Sequence, residues 1–184
     1  ALQGIGKAIM NRLEKAAGHM RISAQAVMKY QKYRRIVFLS DADTCRGPMA
    51  AEMLRHKDLR QEYAIDSRGL VVLFPEPVNQ KAEAVMKSAQ MTMEEHTATA
   101  FSENDVAEDI LILAMCESEK EKVQTEYGEA AKVFTLSEFI GEELEIPNPY
   151  GQPLNAYGEC MERLTEAIDK LAETLNKEVS FEEA

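Results

Sequence analysis

The chain has 184 residues, 45% of them apolar and 29% charged, with a net charge of −11. That length suffices for one domain with a full core and not for two ordinary ones, and no apolar run approaches the roughly 20 residues that cross a bilayer. An acidic body is a poor partner for nucleic acid, because phosphate contacts need cations.

The charge is unevenly spread. Residues 1–35 hold eight Lys/Arg against the single acid Glu14, a net +7, which leaves −18 for the remainder. Such asymmetry marks an appended segment with its own role. Leu2, Ile5, Ile9, Leu13, Ala16 and Met20 recur every three or four residues and line one face of a helix. Ser23 is placed to cap a second helix running to Tyr33. Residues 1–33 therefore read as a basic helical extension that packs on the body or on a second copy of the chain. A membrane-surface helix and a linker from an upstream domain are the alternatives. The body is expected over residues 34–178, with a frayed tail at 179–184. No signal-peptide pattern is visible, and the chain opens on Ala1 rather than Met.

From Arg35 onward strands and helices alternate. Ile36–Leu39 reads as a buried strand, and Pro48–His56 as a helix with proline in its first turn, where a missing N–H costs nothing. Tyr63–Ser67 reads as a second strand, Gly69–Pro77 as a loop, and Asn79–Ser88 as a helix with Ala82, Val85 and Met86 inward. Ile110–Met115 is the continuous apolar run of a strand buried on both faces. Glu117–Tyr127 is a helix and Lys132–Thr135 a fourth strand. Leu154, Tyr157, Met161, Leu164, Ile168, Leu171 and Leu175 give a long final helix. The acid runs Glu103–Asp109 and Glu142–Glu145 read as solvated faces. This alternation predicts an α/β fold: a doubly wound, four-stranded parallel sheet with helices on both faces. Cys45, Cys116 and Cys160 show no C-x-x-C spacing and read as reduced thiols of a cytoplasmic protein. Cys116 and Cys160 are expected to be small core residues. His19, His56 and His96 stand apart from the cysteines, so no metal or other cofactor is expected.

The stretch that carries chemistry is I-V-F-L-S-D-A-D-T-C-R-G-P-M, residues 36–49. In a doubly wound sheet, ligands bind at the carboxyl ends of the strands. Here a strand ends in a short polar loop that leads into a helix N-terminus, where free N–H groups and the helix dipole favour an anion. Arg46 could add a bidentate fork to two phosphate oxygens. A plain strand-to-helix connection with Arg46 on the surface fits the spacing as well.

The segment S-D-A-D-T-C-R-G-P-M-A resembles the phosphate loop of the low-molecular-weight protein tyrosine phosphatases, C-x-G-N-x-C-R-S-P-M-A. Residues 146–151, I-P-N-P-Y-G, resemble that family's D-P-Y/F-G loop. Ile65-Asp66-Ser67-Arg68-Gly69 (family S-x-G), I-L-I-L-A-M and K-V-F-T-L-S-E-F follow in family order. The resemblance covers about residues 35–176. It implies the phosphotyrosine protein phosphatase I-like fold and a phosphate-binding loop of Asp41, Ala42, Asp43, Thr44, Cys45 and Arg46. It also implies that Ser40 stands at the nucleophile's position, Arg46 at the phosphate clamp and Asn148 at the general acid. Tyr150 would lie at the substrate rim, to stack on an aromatic substrate or to pack on the loop. Thr44 is similar to family members that act as protein-arginine phosphatases. A phosphorylated protein or inorganic phosphate is the implied ligand.

The departures matter as much as the matches. A serine hydroxyl is far less acidic than a thiol of pKa about 8.5, and no motif places a histidine to activate it. Asn148 has no carboxyl proton to give, and general acid catalysis contributes roughly 10²–10⁴-fold. Catalysis is therefore expected to be impaired. A residual phosphomonoesterase and an interaction module built on the arm are the rival readings. Ala42 stands where the family has glycine and would be strained if the position needs positive φ. Asp43 replaces a bracing asparagine, and Gly47 a serine that supports the thiolate. A carboxylate about 6 Å from bound phosphate would repel each unit of charge by roughly 3 kcal/mol at an effective dielectric near 20, unless Asp41 and Asp43 point away. Cys45 matches a second loop cysteine that bridges to the nucleophile in the family; with Ser40 there, that bridge is excluded. Cys45 as a substitute nucleophile would need an arginine at position 51, which is alanine.

Overall fold

The computed structural model describes residues 33–177. The expected helices of residues 1–33, apart from Tyr33, and the expected tail at 179–184 lie outside the described residues. Four strands, β1 (Arg35–Ser40), β2 (Ala64–Gly69), β3 (Ile110–Ala114) and β4 (Lys132–Thr135), pair in the order β2-β1-β3-β4. All three pairings are parallel. The helices are α1 (Arg46–Arg55), α2 (Gln80–Ser88), α3 (Glu117–Tyr127), α4 (Leu136–Ile140) and α5 (Leu154–Asn176).

Side chains alternate across a strand, so the two central strands feed two cores. Ile36 and Phe38 of β1, with Leu111 and Leu113 of β3, meet α1, α2 and α5 on one face. Val37 and Leu39, with Ile110 and Ile112, meet Val123 of α3 on the other. Ile36, Val37, Phe38 and Leu39 are wholly buried, and each contributes roughly 1.5–3 kcal/mol through that burial. Most of the stripe expected on the last helix is buried: Tyr157, Leu164, Ile168, Leu171 and Leu175 face the core and Met161 is partly buried against it, but Leu154, at the first position of the helix, is exposed. Among the described residues, no helix is long and apolar enough to cross a membrane.

Helix ends follow local chemistry. The Asn79 side chain accepts the Lys81 N–H at 2.9 Å and caps α2. α3 ends at Gly128, with φ +58°. α1 starts two residues before the expected Pro48, because proline is tolerated anywhere in the first turn, where amides lack partners. α4 was not expected from the sequence. A reciprocal cap makes it: Thr135 Oγ1 accepts the Glu138 N–H at 3.0 Å and the Glu138 carboxylate accepts the Thr135 N–H at 3.2 Å.

One expected solvated acid is buried. Asp105 is 2% exposed and receives Arg35 Nη2 at 2.8 Å and Arg68 Nε at 3.2 Å. Two guanidinium groups carried by adjacent strands draw it inward, and a buried charge persists only when so paired.

Candidate active site

The strand order reverses direction at β1, with β2 on one side and β3 on the other. Their carboxyl ends therefore open a crevice at the switch point. The loop 41–45 leaves β1 there and enters α1. Its carbonyls are engaged from outside: Ser40 O by the Leu70 N–H, Asp41 O by Val71, Thr44 O by Asn79 and Cys45 O by Met49, at 2.8–3.0 Å. That pattern engages the carbonyl edge of the loop and not its amides. The cleft has a volume of about 400 Å³, and Glu76, Asn79, Asn148 and Tyr150 line it opposite the loop.

Behind the loop, Asp43 takes φ +58°, a left-handed conformation that Asp tolerates better than most residues. Its side chain is fully buried. Asp43 Oδ2 accepts the Thr99 N–H at 2.9 Å, and its carbonyl receives His96 Nε2 at 2.8 Å. Burial pulls the His96 pKa down, but the Asp43 carboxylate and carbonyl outweigh it and the net shift is upward. Gly69 sits beneath the turn. A Cβ there would lie 2.7 Å from Val72 Cγ2, 2.8 Å from Ala42 C and 2.9 Å from Asp43 N, so only glycine lets the two backbones approach this closely.

Around Gly47 three buried oxygens converge. A Cβ on Gly47 would lie 3.0 Å from Ser40 Oγ, 3.5 Å from Asp43 Oδ1 and 3.4 Å from Ser67 Cβ. Ser40 Oγ, Asp43 Oδ1 and Ser67 Oγ have no hydrogen-bond partner among the described residues. Ser40 is 3% exposed, and no base contacts its hydroxyl.

Arg46 is 3% exposed, and both of its Nη atoms have protein acceptors. Nη1 donates to Ile146 O at 3.0 Å, and Nη2 to Glu119 Oε1 at 2.7 Å and Asp41 Oδ2 at 3.3 Å. Glu119 lies in the first turn of α3, at the end of β3, with no exposure. Its other oxygen accepts the Met115 and Cys116 N–H groups at 2.9 and 3.1 Å. Burial pushes the Glu119 carboxyl above its ordinary range and Asp41 adds to that, while Arg46 and the two amides act against it. Asn148 Nδ2 reaches Asp41 Oδ2 at 3.4 Å, and Asn148 Oδ1 accepts the Tyr150 N–H at 3.1 Å. Tyr150 is 77% exposed on the rim.

The expected residues thus surround one cleft, and three points left open by the sequence are answered. Ala42 does not take positive φ; the following Asp43 does, so the alanine carries no strain of that kind. The Asp43 carboxylate points behind the loop and not into the cradle, because His96 and the Thr99 amide hold it there. The Arg46 fork faces protein acceptors. Glu119 was missed by sequence reasoning, since its capping role follows a cysteine and not the usual Ser, Thr, Asp or Asn.

Comparison with known proteins agrees with this geometry. The family model "Low molecular weight phosphotyrosine protein phosphatase" matches residues 35–181. The low molecular weight protein-tyrosine-phosphatase PtpB of Staphylococcus haemolyticus is 32% identical over 122 residues, 66% of this chain and 86% of that protein. The YwlE arginine phosphatase from Geobacillus stearothermophilus superposes with a TM-score of 0.71 at 30% identity, over 77% of this chain and 92% of that one. A YwlE variant with serine in place of the active-site cysteine, and with that serine phosphorylated, superposes with a TM-score of 0.70 at 25% identity, over 79% and 97%. The chain belongs to the low molecular weight phosphotyrosine protein phosphatase family.

Proposed function

We propose that this chain is a catalytically impaired member of its family, a phosphate-loop protein that no longer turns over phosphoesters. The carrying observation is the engagement of Arg46: Glu119 at 2.7 Å, Asp41 at 3.3 Å and the Ile146 carbonyl at 3.0 Å hold both Nη atoms of the guanidinium that would clamp a phosphoryl group. An oxyanion that takes these same N–H groups must displace the acceptors, and it meets both carboxylates beside Arg46. Ser40 supports the same reading, since its Oγ has neither a base nor a hydrogen-bond partner among the described residues. Asn148 contributes an amide where a proton donor would be needed. The natural ligand on this reading is a phosphorylated protein, of phosphotyrosine or phosphoarginine type, held weakly by the loop amides.

An aryl-phosphate assay tests it. The unaltered chain should release phosphate at the buffer rate. Ser40→Cys with Asn148→Asp should restore turnover only in part while Glu119 holds Arg46, and adding Glu119→Gln should raise it further and tighten phosphate binding by about a hundredfold, the equivalent of one carboxylate about 6 Å away at a dielectric near 20. Enzyme-like turnover by the unaltered chain that disappears in Ser40→Ala would end the proposal.

A second reading has one observation in its favour. In the YwlE variant, a serine at the active-site position carries phosphate. On that reading Ser40 accepts a phosphoryl group and keeps it. The two readings part in one experiment: after incubation with an aryl phosphate, intact-mass analysis shows stoichiometric phosphoserine at Ser40 for the second and unmodified protein for the first.

A further inference from the structure

Three buried oxygens behind the phosphate loop belong to no hydrogen bond of the protein itself. Ser40 Oγ, Asp43 Oδ1 and Ser67 Oγ have no partner among the described residues, and their residues are 3%, 0% and 4% exposed. They come from three parts of the fold: Ser40 ends β1, Ser67 lies in β2, and Asp43 is in the loop between β1 and α1. The other carboxylate oxygen of Asp43 accepts the Thr99 N–H at 2.9 Å and lies 3.4 Å from His96 Nε2. Oδ1 is thus the half of a buried carboxylate that still lacks a donor. A buried polar atom in that condition carries the desolvation cost of a hydrogen bond not made.

Glycine at position 47 brings these atoms around one point. Setting α1 and the adjoining residues aside, the nearest atom to a Cβ on Gly47 would be Ser40 Oγ at 3.0 Å, followed by Ser67 Cβ at 3.4 Å and Asp43 Oδ1 at 3.5 Å. Any larger residue would push its side chain among them. On the same side lies a pocket of about 350 Å³ lined by Pro48, Ser67, His96 and Thr99, among others. It shares no lining residue with the cleft and gives solvent a path to Ser67. Enclosure, three polar atoms and an entry path are what a buried water needs.

We propose that one water molecule binds behind the loop at Gly47 and bridges Ser40, Asp43 and Ser67. The hydrogen count closes. The carboxylate oxygen only accepts, and each hydroxyl brings one proton and its lone pairs. The water donates one proton to Asp43 Oδ1, and its second proton and lone pairs meet the two hydroxyls. Three bonds is about the usual number for a buried water. A metal cation fits less well. Arg46 adjoins Gly47 in the chain, His96 lies against Asp43, and three oxygens fall short of the roughly six that a hard cation takes. The bridge ties the end of β1 to β2 and to the turn at Asp43. It also gives the Ser40 hydroxyl a partner at the back of the loop. It requires no substrate, so it stands whether or not the chain turns over phosphoesters.

The test is a crystal structure of the full chain at atomic resolution, beside those of Gly47→Ser and Gly47→Ala. The unaltered chain should show one ordered solvent peak about 2.7–3.0 Å from Ser40 Oγ, Asp43 Oδ1 and Ser67 Oγ. Gly47→Ser should lose the peak, with its own hydroxyl bonded to the same atoms, and Gly47→Ala should lose it without replacement. In solution, water-selective NMR of the unaltered chain should give a cross-peak between a long-lived water and the Gly47 or Asp43 amide proton. That measurement decides alone if the variants fail to fold. Direct hydrogen bonds among the three side chains with no solvent peak would overturn the proposal. So would a peak that persists in Gly47→Ser, or one about 2.4 Å from its oxygens, the spacing of a hard cation.

Discussion

The loop after β1 has a back and a cleft side, built from alternate residues of one short segment, and the two have diverged. On the back, Asp43 holds the turn through Thr99 and His96, and Gly69 permits the close approach beneath it. On the cleft side, the nucleophile position is a serine, the acid position an asparagine, and the clamp is bound to Glu119 and Asp41. The back is held by packing and backbone hydrogen bonds, which tolerate a change of chemistry in front. On the proposed reading, turnover in the cleft needs a nucleophile, a proton donor and a cation for the phosphoryl group, and a change in any of these would remove rate without removing the fold.

That contrast can be broken or sharpened by substitution, beginning with the largest effect. Arg46→Met strips the partner from a fully buried carboxylate and should destabilise by about 3–5 kcal/mol in urea denaturation, with most of it recovered by adding Glu119→Leu. If Arg46→Met alone costs nothing, Arg46 is not committed to the protein and can serve a ligand. Gly69→Ala should lose about 1–3 kcal/mol, because its Cβ would overlap the backbone of Ala42 and Asp43. An equally stable variant would show that the back of the loop is adaptable.

Gly47 joins the two sides. Gly47→Ala and Gly47→Ser both bring a Cβ against Ser40 Oγ, but only serine adds a hydroxyl among three unpartnered oxygens. The serine variant should be the more stable by about 1 kcal/mol, read as a difference in thermal midpoints. A pH series isolates the back of the loop. The folded pKa of His96 is raised above its ordinary 6.5. The stability it contributes is therefore fully present below 6.5 and lost as pH rises through the raised value. The gap in melting temperature between the unaltered chain and His96→Asn should narrow in that direction; a gap that widens with pH would sink the assignment. Smallest of all, Asn148→Asp by itself should leave phosphate release unchanged, because an acid without a nucleophile has no leaving group to protonate.

The sequence by itself determined the element order, the parallel α/β class and the place of the site. Those rest on local signals: the short apolar run of β1, the unbroken apolar β3, the stripe of α5 and the order of short motifs. α4 escaped because its cap, Thr135 with Glu138, directly follows a strand and reads as its continuation. Whether Ala42 is strained stays open in the sequence, because chain position does not reveal which residue of a turn takes positive φ. The tertiary structure alone decided what the site residues do. Arg46 meets Glu119 across 73 residues of sequence, and Asp43 turns to His96 across 53. Periodicity encodes which face of an element is buried, but the partner found on that face is set by how the β2-β1-β3-β4 sheet brings distant strand ends together.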